Sequence, residues 1–481
     1  MNVTLLIGGE ARAASTGRTY ERVDPFTGTV ASVAAAATAS DALAAVAAAD
    51  AAFPAWSAKG PNERRKHLLN AADIMEARSH EFVEAAVAET GCTRAWAGFN
   101  VIVAAKMLRE AASMTTQIKG EVIPSDKPGM LSTALRQPAG VCLGIAPWNA
   151  AVILGTRAIA MPLACGNAVI LKASEMCPAT HRLIGEVLLE AGVPGGVVNV
   201  VTNAPEDAAS VVEALVGAAA VKRVNFTGST RVGRRIAELC AKQLKPVLLE
   251  LGGKAPLIVL QDADLDGAVN AASFGAFLNQ GQICMSTERL IVHETIADLF
   301  VEKLASKIKS LPAGNPREAV VLGALISHEA AARMDDLISD AISKGAVLCA
   351  GGKRDGAVVE ATLLDRVTPE MRVYQEESFG PVKPVVRVKS DEEALQVAND
   401  TEYGLSAGLF TRDLQKALAL AARIQSGICH INGPTVSDEP QMPFGGMKAS
   451  GYGRFGGQAA IAEFTDLRWV TVEDPAQPYP F

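Results

Sequence analysis

Three short stretches of the chain put chemically capable side chains in small, polar surroundings. In Asn279-Gln-Gly-Gln-Ile-Cys-Met-Ser-Thr287, Cys284 sits among amides, a glycine and hydroxyls. A core cysteine more often sits among aliphatics. Two readings follow: a turn that happens to contain a cysteine, or a nucleophile held at the floor of a pocket, where a thiolate must be reachable. Glu250-Leu-Gly-Gly-Lys254 is either a charged strand end before a glycine loop or a carboxylate placed for chemistry, and Pro147-Trp-Asn149 is either a turn or a positioned amide. Phe226-Thr-Gly-Ser-Thr230, with Gly233, sets small residues before a helix, a weak signal for a phosphate cradle. It matches neither Gly-x-Gly-x-x-Gly nor the P-loop.

The elements that must position these residues can be read from texture. A chain of 481 residues implies two or three domains. Hydrophobic content of 49% and charged content of 20% describe a globular protein. The net charge of −7 and the lack of a basic run speak against nucleic acid. Apolar segments such as 150–170 are interrupted by Arg157 and Pro162, so no membrane span is expected. The opening MNVTLLIGGEARAASTGR lacks a basic n-region and a long apolar h-region, so no signal peptide and a cytoplasmic location are expected. Eight scattered cysteines without a Cys-x-x-Cys pair form neither a zinc framework nor a disulfide scaffold, and no metal site is expected.

Residues 40–53 and 61–89 read as two amphipathic helices. From Gly140 the chain alternates short β-branched runs with helices: strands at 141–146, 168–172, 197–201 and 223–226, and helices at 151–163 and 179–191. That alternation predicts βαβ units and a parallel sheet covered on both faces. Near Glu250 the pattern restarts, with strands at 255–260 and 289–293, a helix at 265–280 ending at Cys284, and another at 295–310. The predicted fold class is α/β: a Rossmann-like cofactor domain (1–119 and 139–250) and a second α/β catalytic domain (251–450). A small β oligomerisation element (120–138 and 451–481) completes it. The hairpin-like 120–138 and the strand at 467–473 fit neither core, and are expected to pair with each other or with another subunit.

Taken together the motifs are specific. Asn149, Lys172, Glu175, Gly228-Ser229, Glu250, Gly252-Gly253, Cys284, Glu377-Ser-Phe379-Gly-Pro381, Asn432 and Pro443-Phe-Gly-Gly-x-Lys448-x-Ser-Gly451 occur in this order. The chain resembles the aldehyde dehydrogenase superfamily over essentially its whole length, and most closely its bacterial members acting on aromatic aldehydes. The resemblance implies that Cys284 attacks the aldehyde carbon, that Asn149 and the Cys284 N–H hold the oxyanion, and that Glu250 activates the water that hydrolyses the thioester. It implies NAD as cofactor, with Lys172 and Glu175 on the adenosine ribose. Ser229 and Gly228 would lie at the pyrophosphate, with Glu377 on the nicotinamide ribose and Trp148 and Phe379 beside it. Lys172-Ala-Ser-Glu175 lacks the proline usual in the family at that turn but keeps both polar groups.

Ala150, Ile153 and Arg157 follow Asn149 at helical spacing, so one helix face is expected to line the approach to Cys284. The resemblance adds Trp96, Ile283, Met285 and Phe444 to the aldehyde tunnel. These residues suit a flat ring, and Arg157 offers a hydrogen bond to an ortho hydroxyl, so salicylaldehyde is the expected substrate. A pairing of Arg157 with an acid at a domain interface is the structural alternative. The other expected partner is a second copy of the chain, as a homodimer or homotetramer. Two rival functions share the fold: CoA-acylating semialdehyde oxidation, in which the water-activating glutamate is generally lost, and a recruited non-enzymatic role, which would tolerate loss of Cys284 or Glu250. Both residues are present.

Overall fold

The computed structural model describes all residues, 1–481. Its main sheet runs in the order Gly451–Tyr452, Val247–Glu250, Val221–Thr227, Val141–Ile145, Ala168–Lys172, Val198–Val201, Leu5–Ile7, Glu10–Arg12. The five strands from Val247–Glu250 to Val198–Val201 are parallel, and antiparallel pairs close both edges. Their near-continuous apolar sequences are what burial on both faces requires. Along each strand alternate residues enter opposite cores: Cys142, Val169 and Leu171 join one cluster, and Leu143, Ala168 and Ile170 the other.

The chain starts this parallel set at Val141–Ile145, adds two strands on one side, and then returns to add two on the other. Strand order therefore reverses between Val141–Ile145 and Val221–Thr227. Loops leaving the carboxyl ends of strands diverge at such a switch point and open a crevice. The second sheet, of seven strands, contains Pro256–Val259, Arg289–His293, Val382–Val388, Ser406–Phe410 and Ile428–Ile431 in a parallel core. The same alternation divides Leu257 and Val259 from Ile258.

Segments 120–138 and 467–473 pair with each other: Thr465–Val472 runs antiparallel to Leu131–Pro138, and Glu121–Val122 adds a third strand. The expected boundary at 451 needs correction. Gly451–Tyr452 pairs with Val247–Glu250 in the main sheet, and helix Gly457–Glu463 packs on helix Arg94–Met114. The single helix expected over 61–89 is two, Pro61–Ala77 and Ser79–Thr90, broken at Arg78, whose guanidinium reaches Glu81, Glu186 and Glu190. The helix expected to run to Gln280 stops at Phe277. Helix Arg94–Met114 was not anticipated; five of its eleven buried residues are alanine, which weakens the apolar stripe. No helix is long and apolar enough to cross a membrane.

Candidate active site

Beyond Phe277 the chain leaves the helix through Asn279, Gln280 and Gly281, all with left-handed backbone (φ 49°, 56° and 73°). Left-handed non-glycine residues cost energy and persist only where surroundings hold them. Here Asn279 Nδ2 donates to the Asn149 carbonyl (2.9 Å), and Gln280 Nε2 donates to the Ala324 carbonyl (2.9 Å). The kink delivers Cys284 partly exposed at the edge of the largest apolar cluster.

Asn149 follows the end of strand Val141–Ile145 and is held from both sides. Its carbonyl accepts from Trp96 Nε1 (3.0 Å) as well as from Asn279, and its own Nδ2 donates to the Gln282 carbonyl (3.0 Å). One amide hydrogen is fixed by that bond, leaving the other free for a ligand. Gly253 shows why the stretch before Lys254 needs glycine. A Cβ there would lie 2.3 Å from the Cys284 carbonyl oxygen, so the two backbones approach each other too closely for any side chain.

Glu250 ends strand Val247–Glu250, is 1% exposed, and has no hydrogen-bond partner on either carboxylate oxygen. Burial pushes its pKa up to about 8; Arg157 and the nearby Cys284 thiol pull the other way, the thiol without the geometry of a full hydrogen bond. Burial, then the Glu250 charge, raises the Cys284 thiol well above its ordinary value. The two groups thus compete for one proton, and a carboxylate held near neutrality by burial can serve as a base. Asn149, Glu250, Cys284, Trp148, Gly228, Ser229, Glu377 and Phe379 line one cleft of about 290 Å³.

That cleft meets a second, of about 770 Å³, at Pro147, Trp148, Thr227, Gly228 and Ser229, on the switch point of the main sheet. Lys172 and Glu175 line its far part and form an ion pair, with Asn203 Nδ2 adding a bond to Glu175 (3.0 Å). Burial would raise the Glu175 pKa, but Lys172 overrides it and the net shift is downward. Ser229 caps helix Thr230–Lys242. At Gly228 a Cβ would meet the Phe226 ring at 2.5 Å, so the wall there is bare backbone. A helix N-terminus behind exposed backbone suits a pyrophosphate, and the residues present fit a dinucleotide. Glu377 accepts from Gly253 N–H (2.9 Å), with burial raising its pKa to about 7. Trp148 and Phe379 meet edge to face at 5.7 Å.

Trp96, Ala150, Ile153, Ile283, Met285 and Phe444 fall in the apolar cluster against which Cys284 packs. Arg157 is differently engaged. Its guanidinium forms an ion pair with Asp438 and lies 4.3 Å over the Phe444 ring. The structure thus gives Arg157 the acid partner of the structural alternative, with its Nη2 taken by Asp438. Asn279, Gln282 and Asp438 were missed as site residues. The Asn-Gln-Gly run was the available signal for the first, since asparagine before glycine favours helix termination; Asp438 lies 281 residues from its partner, and no local pattern marks it. Behind Glu377, the buried carboxylate of Glu288 binds Lys254 and Lys383 (both 2.7 Å) and the Ser378 N–H (2.7 Å), fixing that loop.

The profile described as "Aldehyde dehydrogenase family" matches residues 12–470. A vanillin dehydrogenase of Pseudomonas fluorescens is 63% identical over 100% of both chains, and a salicylaldehyde dehydrogenase of Pseudomonas putida is 50% identical over 100% of both. The crystal structure of a salicylaldehyde dehydrogenase from Pseudomonas putida G7, complexed with salicylaldehyde, superposes with a TM-score of 0.98 at 49% identity, covering 100% of each chain.

Proposed function

This chain belongs to the aldehyde dehydrogenase family, and we propose that it oxidises an aromatic aldehyde to its carboxylate with NAD as hydride acceptor. The observation that carries the reading is the convergence of Cys284, Glu250 and Asn149 on a cleft continuous with the switch-point crevice. Cys284, partly exposed on the cleft, releases its thiol proton to solvent, and the thiolate bonds to the aldehyde carbon, giving a thiohemiacetal. The free Asn149 amide hydrogen and the Cys284 N–H donate to the oxygen, each contributing on the order of 3 kcal/mol. NAD, when bound, supplies the acceptor for the hydride lost from that carbon. Lys172 and Glu175 would hold the adenosine ribose, Ser229 a pyrophosphate oxygen, and Glu377 the nicotinamide ribose. A carboxylate at Glu175 disfavours a 2′-phosphate, which supports NAD over NADP. Glu250, charged only as pH approaches 8, takes a proton from the water that hydrolyses the Cys284 thioester.

Aromatic specificity is supported by the apolar wall of Trp96, Ile153, Met285 and Phe444 and by the substrates for which the relatives are named. The relative at 63% identity is named for vanillin and that at 50% for salicylaldehyde. With Arg157 already paired, vanillin stands first among phenolic benzaldehydes and salicylaldehyde remains within the set. The test is NADH formation with vanillin, salicylaldehyde, benzaldehyde and acetaldehyde, with NAD or NADP and with or without CoA. The reading expects higher kcat/KM for the aromatic aldehydes, preference for NAD, and a free carboxylate product. A higher kcat/KM for acetaldehyde than for every aromatic aldehyde would overturn the substrate class, and an acyl-CoA product the hydrolytic step.

A further inference from the structure

The turn at 173–177 leaves strand Ala168–Lys172 and carries Glu175 to the wall of the larger cleft. Its shape is set at the buried Ser174. The Ser174 hydroxyl accepts from Met176 N–H (3.2 Å), its carbonyl accepts from Cys177 N–H (3.2 Å), and its own N–H donates to His181 Nδ1 (3.1 Å). One residue earlier, Ala173 N–H donates to the Val201 carbonyl (2.9 Å). His181 is thus the one side chain outside the turn that hydrogen-bonds its backbone. The imidazole is fully buried, and its other nitrogen, Nε2, lies 3.1 Å from the Ala151 carbonyl and 3.6 Å from the Cys177 sulfur. A backbone N–H can only donate and a carbonyl can only accept, so the bonds to Ser174 and Ala151 fix a neutral ring with its hydrogen on Nε2. Burial lowers the His181 pKa to about 4, in keeping with that state. Helix Ala151–Ala164 crowds the ring: a Cβ at Gly155 would lie 3.0 Å from its Cδ2 atom. The helix that carries His181, Pro178–Glu190, is pinned by the buried Glu89 carboxylate, which accepts from Ala179 N–H (2.8 Å) and Thr180 N–H (3.0 Å).

We propose that His181 is a positioning residue for the dinucleotide: its imidazole, braced on Ala151, holds the Ser174 N–H and so fixes the turn that presents Glu175 to the adenosine ribose. Lys172 and Asn203 hold the Glu175 carboxylate, but neither side chain bonds the backbone from which it extends. That support comes from Ser174 and, through it, from His181. Loss of the Nδ1 acceptor would leave a buried N–H unpaired, a cost the turn relieves by moving. A carboxylate that meets ribose hydroxyls tolerates little displacement. The bond to Ala151 ties the same ring to the first residue of the helix that follows Asn149, so both ends of the crevice share one support. The proposal rests on the dinucleotide reading of the larger cleft.

The test is equilibrium binding of NADH, read by its fluorescence, to the wild type, His181→Gln, His181→Asn, Glu175→Ala, and His181→Gln combined with Glu175→Ala. In His181→Gln an amide near the Nε2 position keeps a donor for Ala151 but gives Ser174 no acceptor; in His181→Asn the side-chain oxygen replaces Nδ1 and keeps that acceptor. His181→Gln should weaken NADH binding by about tenfold, and His181→Asn should bind within about threefold of the wild type. In the Glu175→Ala background the loss from His181→Gln should nearly vanish, because the histidine acts through the turn that presents the acid. A histidine with a merely structural role would instead give losses that add. His181→Leu also removes the acceptor, and takes the place of His181→Gln if that variant fails to fold. A wild type that binds no NADH would remove the dinucleotide reading and the proposal with it. Wild-type binding with no loss in folded His181→Gln or His181→Leu, or a loss that adds in full to that of Glu175→Ala, overturns the proposal alone.

Discussion

Glu250 is where burial, protonation and chemistry meet in one side chain. Its folded pKa of about 8 stands above the ordinary 4.5 because burial disfavours the anion. The stability tied to this group is fully present below pH 4.5 and is lost as pH rises through 8, where the folded chain must carry a buried charge without a hydrogen-bond partner. Glu250→Gln removes that cost. Its thermal midpoint should therefore gain on the wild type between about pH 6 and about pH 9, by the equivalent of on the order of 3 kcal/mol at the alkaline end. The same ionisation predicts that single-turnover hydrolysis of the acyl-enzyme accelerates with pH around a midpoint near 8. A flat profile through this range would remove Glu250 as the base. Among the cysteines, Cys284→Ala should abolish NADH formation, while Cys142→Ala, Cys165→Ala and Cys429→Ala, none of which lines the cleft, should retain it. Measurable turnover in Cys284→Ala would contradict the assignment.

At the scale of elements, the site is an agreement between three pieces of backbone: the turn after strand Val141–Ile145, the end of strand Val247–Glu250, and the kink after helix Leu265–Phe277. Trp96, on helix Arg94–Met114, ties the first of these through its indole N–H to the Asn149 carbonyl. Trp96→Phe keeps an aromatic ring but deletes the donor. The expected loss is about 1 kcal/mol, several-fold in kcat with KM little changed, because what suffers is the aim of the oxyanion amide. A loss confined to KM would mean that Trp96 acts only as a wall. The strands at 141–146, 168–172, 197–201 and 223–226 of the first parallel core, and those at 255–260 and 289–293 of the second, were legible because burial on two faces demands short unbroken apolar runs; Val382–Val388, Ser406–Phe410 and Ile428–Ile431 were not read. The kink at Asn279–Gln280 was read as helix: the Asn-Gln-Gly run offered a local signal for a helix end, but the contacts that hold the left-handed backbone are to the distant Asn149 and Ala324 carbonyls. Cys284, Glu250 and Asn149 were legible through their motifs, and the Arg157–Asp438 pair, joined only by the fold, was not.

For the molecule as a whole, the sheet of Glu121–Val122, Leu131–Pro138 and Thr465–Val472 stands apart from both cores and presents Val122, Leu467, Trp469 and Val472 largely exposed. Exposed apolar strands call for cover, so an oligomer joined through this sheet is expected. Light scattering should give more than one chain's mass at micromolar concentration, and Leu467→Glu with Trp469→Glu should reduce it; a wild-type monomer would refute the arrangement. The two parallel sheets, by contrast, meet at the clefts where the switch-point crevice reaches Cys284. In the proposed mechanism these halves perform one oxidation through a thioester on Cys284, resolved by Glu250. The most direct test is the intact mass of Glu250→Gln after mixing with benzaldehyde, with and without NAD, followed by peptide mapping. The expected result is a mass gain of one acyl group, located on Cys284 and dependent on NAD. Undiminished wild-type turnover in this variant, or an acyl group on any other residue, would contradict it.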